Sequence, residues 1–228
     1  MLLRIRVRLP DRPGSLGKVA RVLGAAGADV VQMAVLERDS GRALDDFTVV
    51  WPTGASIERL VDGLGSMQGV QLVGIWPTVE PQGAYPDAAL LGQLAAAPER
   101  GPLTLADAVP GLLSADWAGL AEGGPDGHAL VHCSLGGETE LELPDLNPLR
   151  ARAFTAPDGT QFAMCPIGGA GEGEWVLVVA RTGAPPFHRT EVFRLEQLVG
   201  AAEAVLGVPR TGAGSGSGTE DPDLVRSS

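Results

Sequence analysis

The sequence predicts an α+β protein of two units, a βαββαβ layer structure over residues 1–77 and a second mixed unit over 87–207. Three observations carry this. Six segments of apolar spacing, of period 2 or period 3.6, succeed one another before residue 77. A stretch holding Pro77, Pro81, Gly83 and Pro86 then breaks the pattern and marks residues 78–86 as a linker. Charge divides at nearly the same place. Residues 1–80 hold nine basic and nine acidic side chains, so the whole net charge of −11 lies beyond them. A chain of 228 residues is long for one minimal domain and suits two.

In residues 3–9, Leu3, Ile5, Val7 and Leu9 alternate with Arg4, Arg6 and Arg8, the pattern of a half-buried strand. Pro10 to Gly14 end it. Leu16, Val19, Ala20, Leu23 and Ala26 follow at helical spacing, and Gly27 closes that helix. Residues 29–38 are rich in β-formers and lead to a turn at Asp39-Ser40-Gly41. Phe47, Val49 and Trp51 mark a third strand. Ile57, Leu60, Val61 and Leu64 mark a second helix, and Val70 to Trp76 a fourth strand. Two split β-α-β crossovers of right-handed sense give a four-stranded antiparallel sheet with both helices on one face, the ferredoxin-like arrangement. Leu3, Ile5, Val7, Phe47, Val49 and Trp51 should line the helix-covered face. Arg4, Arg6, Arg8, Asp46, Thr48 and Val50 should line the open one.

Beyond the linker the spacing predicts helices at 87–97 and 104–113, strands at 117–121, 129–134, 162–167 and 175–181, and a long helix over 189–206. Phe187 is placed to staple its first turn. The glycine- and serine-rich run from Thr211 to Gly218 predicts a disordered tail over 208–228.

Several functions are disfavoured by residue content. A net charge of −11 weighs against nucleic acid and against an anionic membrane surface. The open sheet face offers no aromatic side chain on which an RNA base could stack. No apolar run approaches a membrane span, and the first residues carry no secretory h-region, so a cytoplasmic protein with reduced Cys133 and Cys165 is expected. These two thiols could meet only across adjacent strands. His128, His132 and Cys133 lack a fourth ligand at metal-site spacing, and on one strand Cys133 points away from the two histidines. The glycine run from Gly168 lacks the Lys-Ser/Thr of a phosphate loop and reads as a hairpin turn. Glu138, Glu140 and Glu142 alternate with Thr139, Leu141 and Leu143 as a solvated face. No nucleophile–base arrangement stands out, so neither catalysis nor a cofactor is expected.

The informative segment is Pro10-Asp11-Arg12-Pro13-Gly14-Ser15-Leu16. A helix starting near Gly14 presents unpaired N–H groups to an anion, and a glycine lets a ligand approach the backbone. Asp11 and Asp29 are acceptors for an ammonium group. With Gly27-Ala28-Asp29-Val30 at the next helix-to-strand turn, this segment resembles the ACT domain family over residues 2–77. The resemblance implies a small-molecule, mostly amino-acid-binding regulatory module. It further implies a ligand held between two such domains. One would supply Asp11, Arg12, Pro13, Gly14, Ser15 and Leu16, and the other Asp29 and Val30. Residues 87–206 resemble the GAF domain, chiefly through Phe162–Ile167, Trp175–Arg181 and Pro186-Phe187, although His188 stands where a Ser or Thr cap is usual. Together these imply a non-catalytic ligand sensor, a homodimer, acting through an unidentified effector protein. The alternative is a dimerisation or interaction scaffold with no ligand.

Overall fold

A computed structural model describes residues 1–79, 85–125, 127–134, 141–168 and 175–208. The tail, Glu138, Glu140, the middle of the linker and the glycine run after Gly168 lie outside the described residues.

The first half runs β1 (Leu2–Pro10), α1 (Ser15–Ala25), β2 (Asp29–Asp39), β3 (Arg42–Val50), α2 (Ile57–Gly65), β4 (Gln71–Pro77). Its sheet has the order β2-β3-β1-β4, antiparallel throughout. The β2–β3 hairpin closes through Ser40 and Gly41, both at positive φ (50° and 73°), the backbone that a two-residue loop between twisted strands requires. Leu3, Ile5, Val7, Phe47, Val49 and Trp51 pack with Val19, Leu23, Leu60 and Leu64 under the two helices, as the alternation predicts.

The second half runs α3 (Pro86–Ala96), α4 (Gly101–Leu113), β5 (Trp117–Gly124), β6 (Gly127–Cys133), β7 (Arg152–Thr155), β8 (Gln161–Ile167), β9 (Trp175–Arg181), α5 (Arg189–Leu206). The sheet order is β6-β5-β9-β8-β7. One face packs against α3, α4 and α5 through Leu94, Leu105, Val109, Leu177, Leu195 and Val199. The other face is filled by Leu146, Phe162, Met164, Val176 and Val178. Strand β7 is absent from the sequence reading because four residues are too few to display alternation. It is held by Phe154, stacked on Phe162 at 5.3 Å, with the Arg152 guanidinium 4.3 Å above the Phe154 ring. Strands β5 and β9 separate β6 from β8, so Cys133 and Cys165 do not lie on adjacent strands. Neither forms a disulfide, and both are buried.

The arginine side of the first sheet is not a solvated stripe. Arg6 is 2% exposed, and it reaches across to the second half. Its Nε and Nη2 donate to the two Asp46 oxygens at 2.7 and 2.8 Å. The same Nη2 donates to Glu191 Oε2 on α5 at 3.0 Å. Arg181, at the end of β9, donates to both Glu191 oxygens at 2.9 and 3.2 Å. The His188 N–H donates to Glu191 as well, at 2.7 Å, while His188 Nδ1 accepts from the Thr190 N–H at 3.3 Å. The imidazole thus does the capping expected of a Ser or Thr. Burial alone would push the Glu191 carboxyl up, but the charges of Arg181 and Arg6 outweigh it and hold it below the ordinary carboxylate range. Trp76 on β4 lies beneath both guanidinium groups, 5.2 and 5.3 Å from its ring centre. Beside it Pro185 packs on the bare backbone of Gly74, where a Cβ would fall 2.4 Å from the proline ring.

Glu191→Ala leaves two buried guanidinium groups without their shared counter-charge. It should lower unfolding free energy by about 3–5 kcal/mol in urea titrations. Glu196→Ala, on an exposed stretch of the same helix, should leave it nearly unchanged.

Candidate ligand-binding site

The loop between β1 and α1 is shaped by its backbone. The Asp11 N–H donates to Gly41 O at 2.8 Å, which ties the loop to the β2–β3 hairpin. The Ser15 N–H donates to Arg12 O at 3.2 Å. Gly14 caps α1 in the left-handed region (φ 86°), and no side chain caps the helix. The first-turn N–H groups beyond Ser15 therefore face outward without a side-chain acceptor. A Cβ built on Gly14 meets nothing within 4 Å, so the space above that glycine is open.

Leu9 to Leu16, with Val35, Arg38, Ala43 and Asp45, surround a cavity of about 380 Å³, within the size range of small-molecule sites. The structure brings Asp11, Arg12, Pro13, Gly14, Ser15 and Leu16 together along one wall. It does not bring Asp29 and Val30 to them. The register pairs Asp29 with Val50 and Val50 with Leu2, at the far end of the sheet, whereas Pro10 pairs with Arg42 and Arg42 with Asp39. A strand of this length separates the two ends by roughly 30 Å.

Two residues of the cavity were not singled out in the sequence. Arg38 donates to both oxygens of Asp11, at 2.8 and 3.0 Å, so the Asp11 carboxylate already holds a cation. Asp45 is 1% exposed, and its Oδ1 is buried with no hydrogen-bond partner among the described residues. Burial first, then the negative charges of Asp11 and Asp46, push the Asp45 carboxyl up to about 6, with Arg38 opposing. Its position follows from strand parity. Asp45 shares the helix-covered side of β3 with Phe47 and Val49, an acid in an apolar series. That out-of-place acid was the available signal.

Strand β2 forms one edge of the sheet. Its Val30, Val31, Met33 and Val35 are all more than a third exposed, an apolar edge of the kind that recruits another strand. Antiparallel pairing of two β2 edges would set Asp29 and Val30 of one copy beside the Asp39 end of the other, on the side of the β1–α1 loop.

In the second half, His132 Nε2 lies 2.7 Å from Asp107 Oδ1, and the buried His128 Nε2 has no hydrogen-bond partner among the described residues. No cluster of three or more metal-ligating side chains occurs among the described residues. No described helix is long and apolar enough to cross a membrane.

Residues 3–50 match the ACT domain family model. No curated protein matches the chain. Among solved structures it is similar to a formyltetrahydrofolate deformylase from Pseudomonas putida KT2440, at 15% identity over 42% of this chain and 39% of that one, with a TM-score of 0.29. The chain thus spans about two fifths of the deformylase's length. It is also similar to a GAF domain/HD domain protein from Geobacter sulfurreducens, at 14% identity over 51% of this chain and 95% of that one, with a TM-score of 0.37. A protein assigned as a glycine cleavage system transcriptional repressor is similar along 91% of this chain and 93% of its own, at 10% identity and a TM-score of 0.28. The ACT match covers β1, α1, β2 and β3, and so every element that builds the cavity.

The Asp45 carboxyl sets a pH dependence of stability. It titrates near 6 when folded against an ordinary 3.8, so between those values the folded protein binds more protons than the unfolded chain. Stability therefore falls as pH rises through this window and stays lower above it. The melting temperature of ligand-free protein should be higher at about pH 5 than at about pH 7.5. Asp45→Asn should remove most of that difference.

Proposed function

We propose that the protein is a regulatory ligand sensor that binds an amino acid at the β1–α1 loop of its ACT domain. The observation that carries this is Asp45, a buried carboxylate with an unsatisfied oxygen, in a cavity whose other wall is an uncapped helix start. An amino acid offers a carboxylate and an ammonium a short distance apart. The carboxylate would take the first-turn N–H groups of α1 above Gly14. The ammonium would take Asp45, since Arg38 occupies Asp11.

In this reading residues 1–77 and 87–207 are two units joined by 78–86, and the working form is a homodimer joined along β2. Each copy's Asp29 and Val30 then complete the other copy's cavity. The arginine side of the sheet no longer requires a second copy to cover it, because the second half of the same chain does so at Arg6. The β2 edge is what still asks for one. The protein acts in the cytoplasm, performs no reaction of its own, and passes its signal to an effector protein.

Thermal melts of the full chain with each of the twenty amino acids test the proposal. A ligand at one hundred times its dissociation constant adds about 2.7 kcal/mol. For a chain of this size each kcal/mol moves the midpoint by about 2–4 °C. Asp45→Asn should weaken the responding ligand about ten- to hundredfold by calorimetry. Binding by the parent should tighten as pH rises through about 6, because the ammonium requires ionised Asp45. If no amino acid produces a saturable shift, the sensor reading fails and a ligand-free dimerisation scaffold replaces it.

A further inference from the structure

A second cavity, of about 270 Å³, lies between the open face of the first sheet and the start of α5, away from the β1–α1 loop. One wall is a cross-strand row, Arg4 on β1, Thr48 on β3 and Gln32 on β2, each paired directly with the next in the register. The opposite wall includes Thr190 and Arg194 of α5. Residues directly opposite on neighbouring strands stand about 5 Å apart, so the row sets three hydrogen-bond donors side by side.

Among the described residues the charges at this junction do not balance. Arg4, Arg6, Arg181 and Arg194 face Asp46, Glu191 and Asp87. Arg6 and Arg181 take up Asp46 and Glu191 through direct hydrogen bonds, and Arg194 pairs with Asp87 and donates to Leu112 O at 2.8 Å. Farther along, Glu37 is met by His188 and Arg189. Arg4 is left over. Its side chain is 19% exposed and its Nη1 stands 3.8 Å from Asp46, a carboxylate already engaged on both oxygens by Arg6. Its Nε is buried with no hydrogen-bond partner among the described residues. Burial, with the positive charges of Arg6 and Arg181, pulls the Arg4 pKa down against the opposing pull of Asp46 and Glu191.

We infer that this inter-half cavity is a binding site for a small organic monocarboxylate, held by the Arg4 guanidinium with Thr48 and Gln32 beside it. A guanidinium offers parallel N–H donors that fit a planar carboxylate. One excess positive charge calls for a singly charged anion, and the carboxylates of Asp46 and Glu191 in the cavity wall repel a dianion such as phosphate. Because the cavity has one wall from each half, an occupant ties the first sheet to α5. The site is distinct from the one at the β1–α1 loop, and ligands lacking an ammonium group separate the two.

The test is the melting temperature of the full chain at constant ionic strength with sodium acetate, propionate, glycolate or benzoate, with chloride and inorganic phosphate alongside. At least one carboxylate should give a saturable rise that chloride and phosphate do not. Arg4→Gln should raise its apparent dissociation constant at least tenfold and Thr48→Val severalfold, while Asp45→Asn does not weaken it. No saturable response to any carboxylate overturns the inference. So does a response that survives both Arg4→Gln and Thr48→Val, and so does an Arg4-dependent response confined to phosphate.

Discussion

The arrangement of the two halves depends on the carboxylate of Glu191. It accepts from Arg6 of the first sheet, Arg181 of the second and the backbone of its own helix cap. An isolated carboxylate at 6% exposure would be expelled or protonated. Three donors from three parts of the chain keep it charged, and it in turn keeps two guanidinium groups buried. Such a cluster adds little net stability compared with an apolar junction of the same shape. Its effect is on position, since it tolerates one mutual placement of β1, β9 and α5. The bare backbone of Gly74 under Pro185 and the Thr78–Ser114 hydroxyl contact at 2.8 Å hold the same junction from either side.

Two of the buried polar groups left without a partner among the described residues, Arg4 Nε and Asp45 Oδ1, line cavities, and a nearby ion pair explains each. Arg4 lies two residues from Arg6 on the same side of β1. The best acceptor within reach, Asp46, is spent on Arg6, so satisfying the junction starves the next guanidinium. On the other side of the sheet, the bidentate Arg38–Asp11 pair uses the cation that Asp45 would otherwise hold. Both orphans border cavities. Buried polar groups in folded proteins are nearly always paired, so two cavity-lining exceptions locate the places where an outside molecule would lower the energy most.

The sequence exposes the fold through period, and it exposes little of what crosses between elements. Alternation in Leu3–Leu9 gives β1 its register and both of its faces. The helical stripe over 189–206 coincides with α5 as observed. The loop from Asp11 to Leu16 is legible because it is local, with a turn, a glycine and a helix start in sequence order. Parity places Arg6 on the correct face, yet its environment depends on Glu191, 185 residues away. No local pattern carries that. Asp45 was readable by the same parity rule, as an acid on an apolar face. His188 as a cap and β7 as a strand depend on a histidine tautomer and an aromatic stack, and neither has a periodic signature.

Asp45 and Asp46 are consecutive on β3, and a strand sends consecutive side chains to opposite faces. Asp45 therefore looks into the cavity of the β1–α1 loop, and Asp46 into the junction with the second half. The charge of Asp46 is among the causes that raise the Asp45 carboxyl, and interaction between two charges is reciprocal. Ionisation of Asp45 adds negative potential at Asp46, the residue that anchors Arg6 and stands nearest Arg4, and a cation bound at Asp45 offsets it. Strand β3 is thus a wall common to both cavities. The two cavities are separated by one backbone thickness, and the ionisation of Asp45 in one acts on Asp46 in the other without any element having to move.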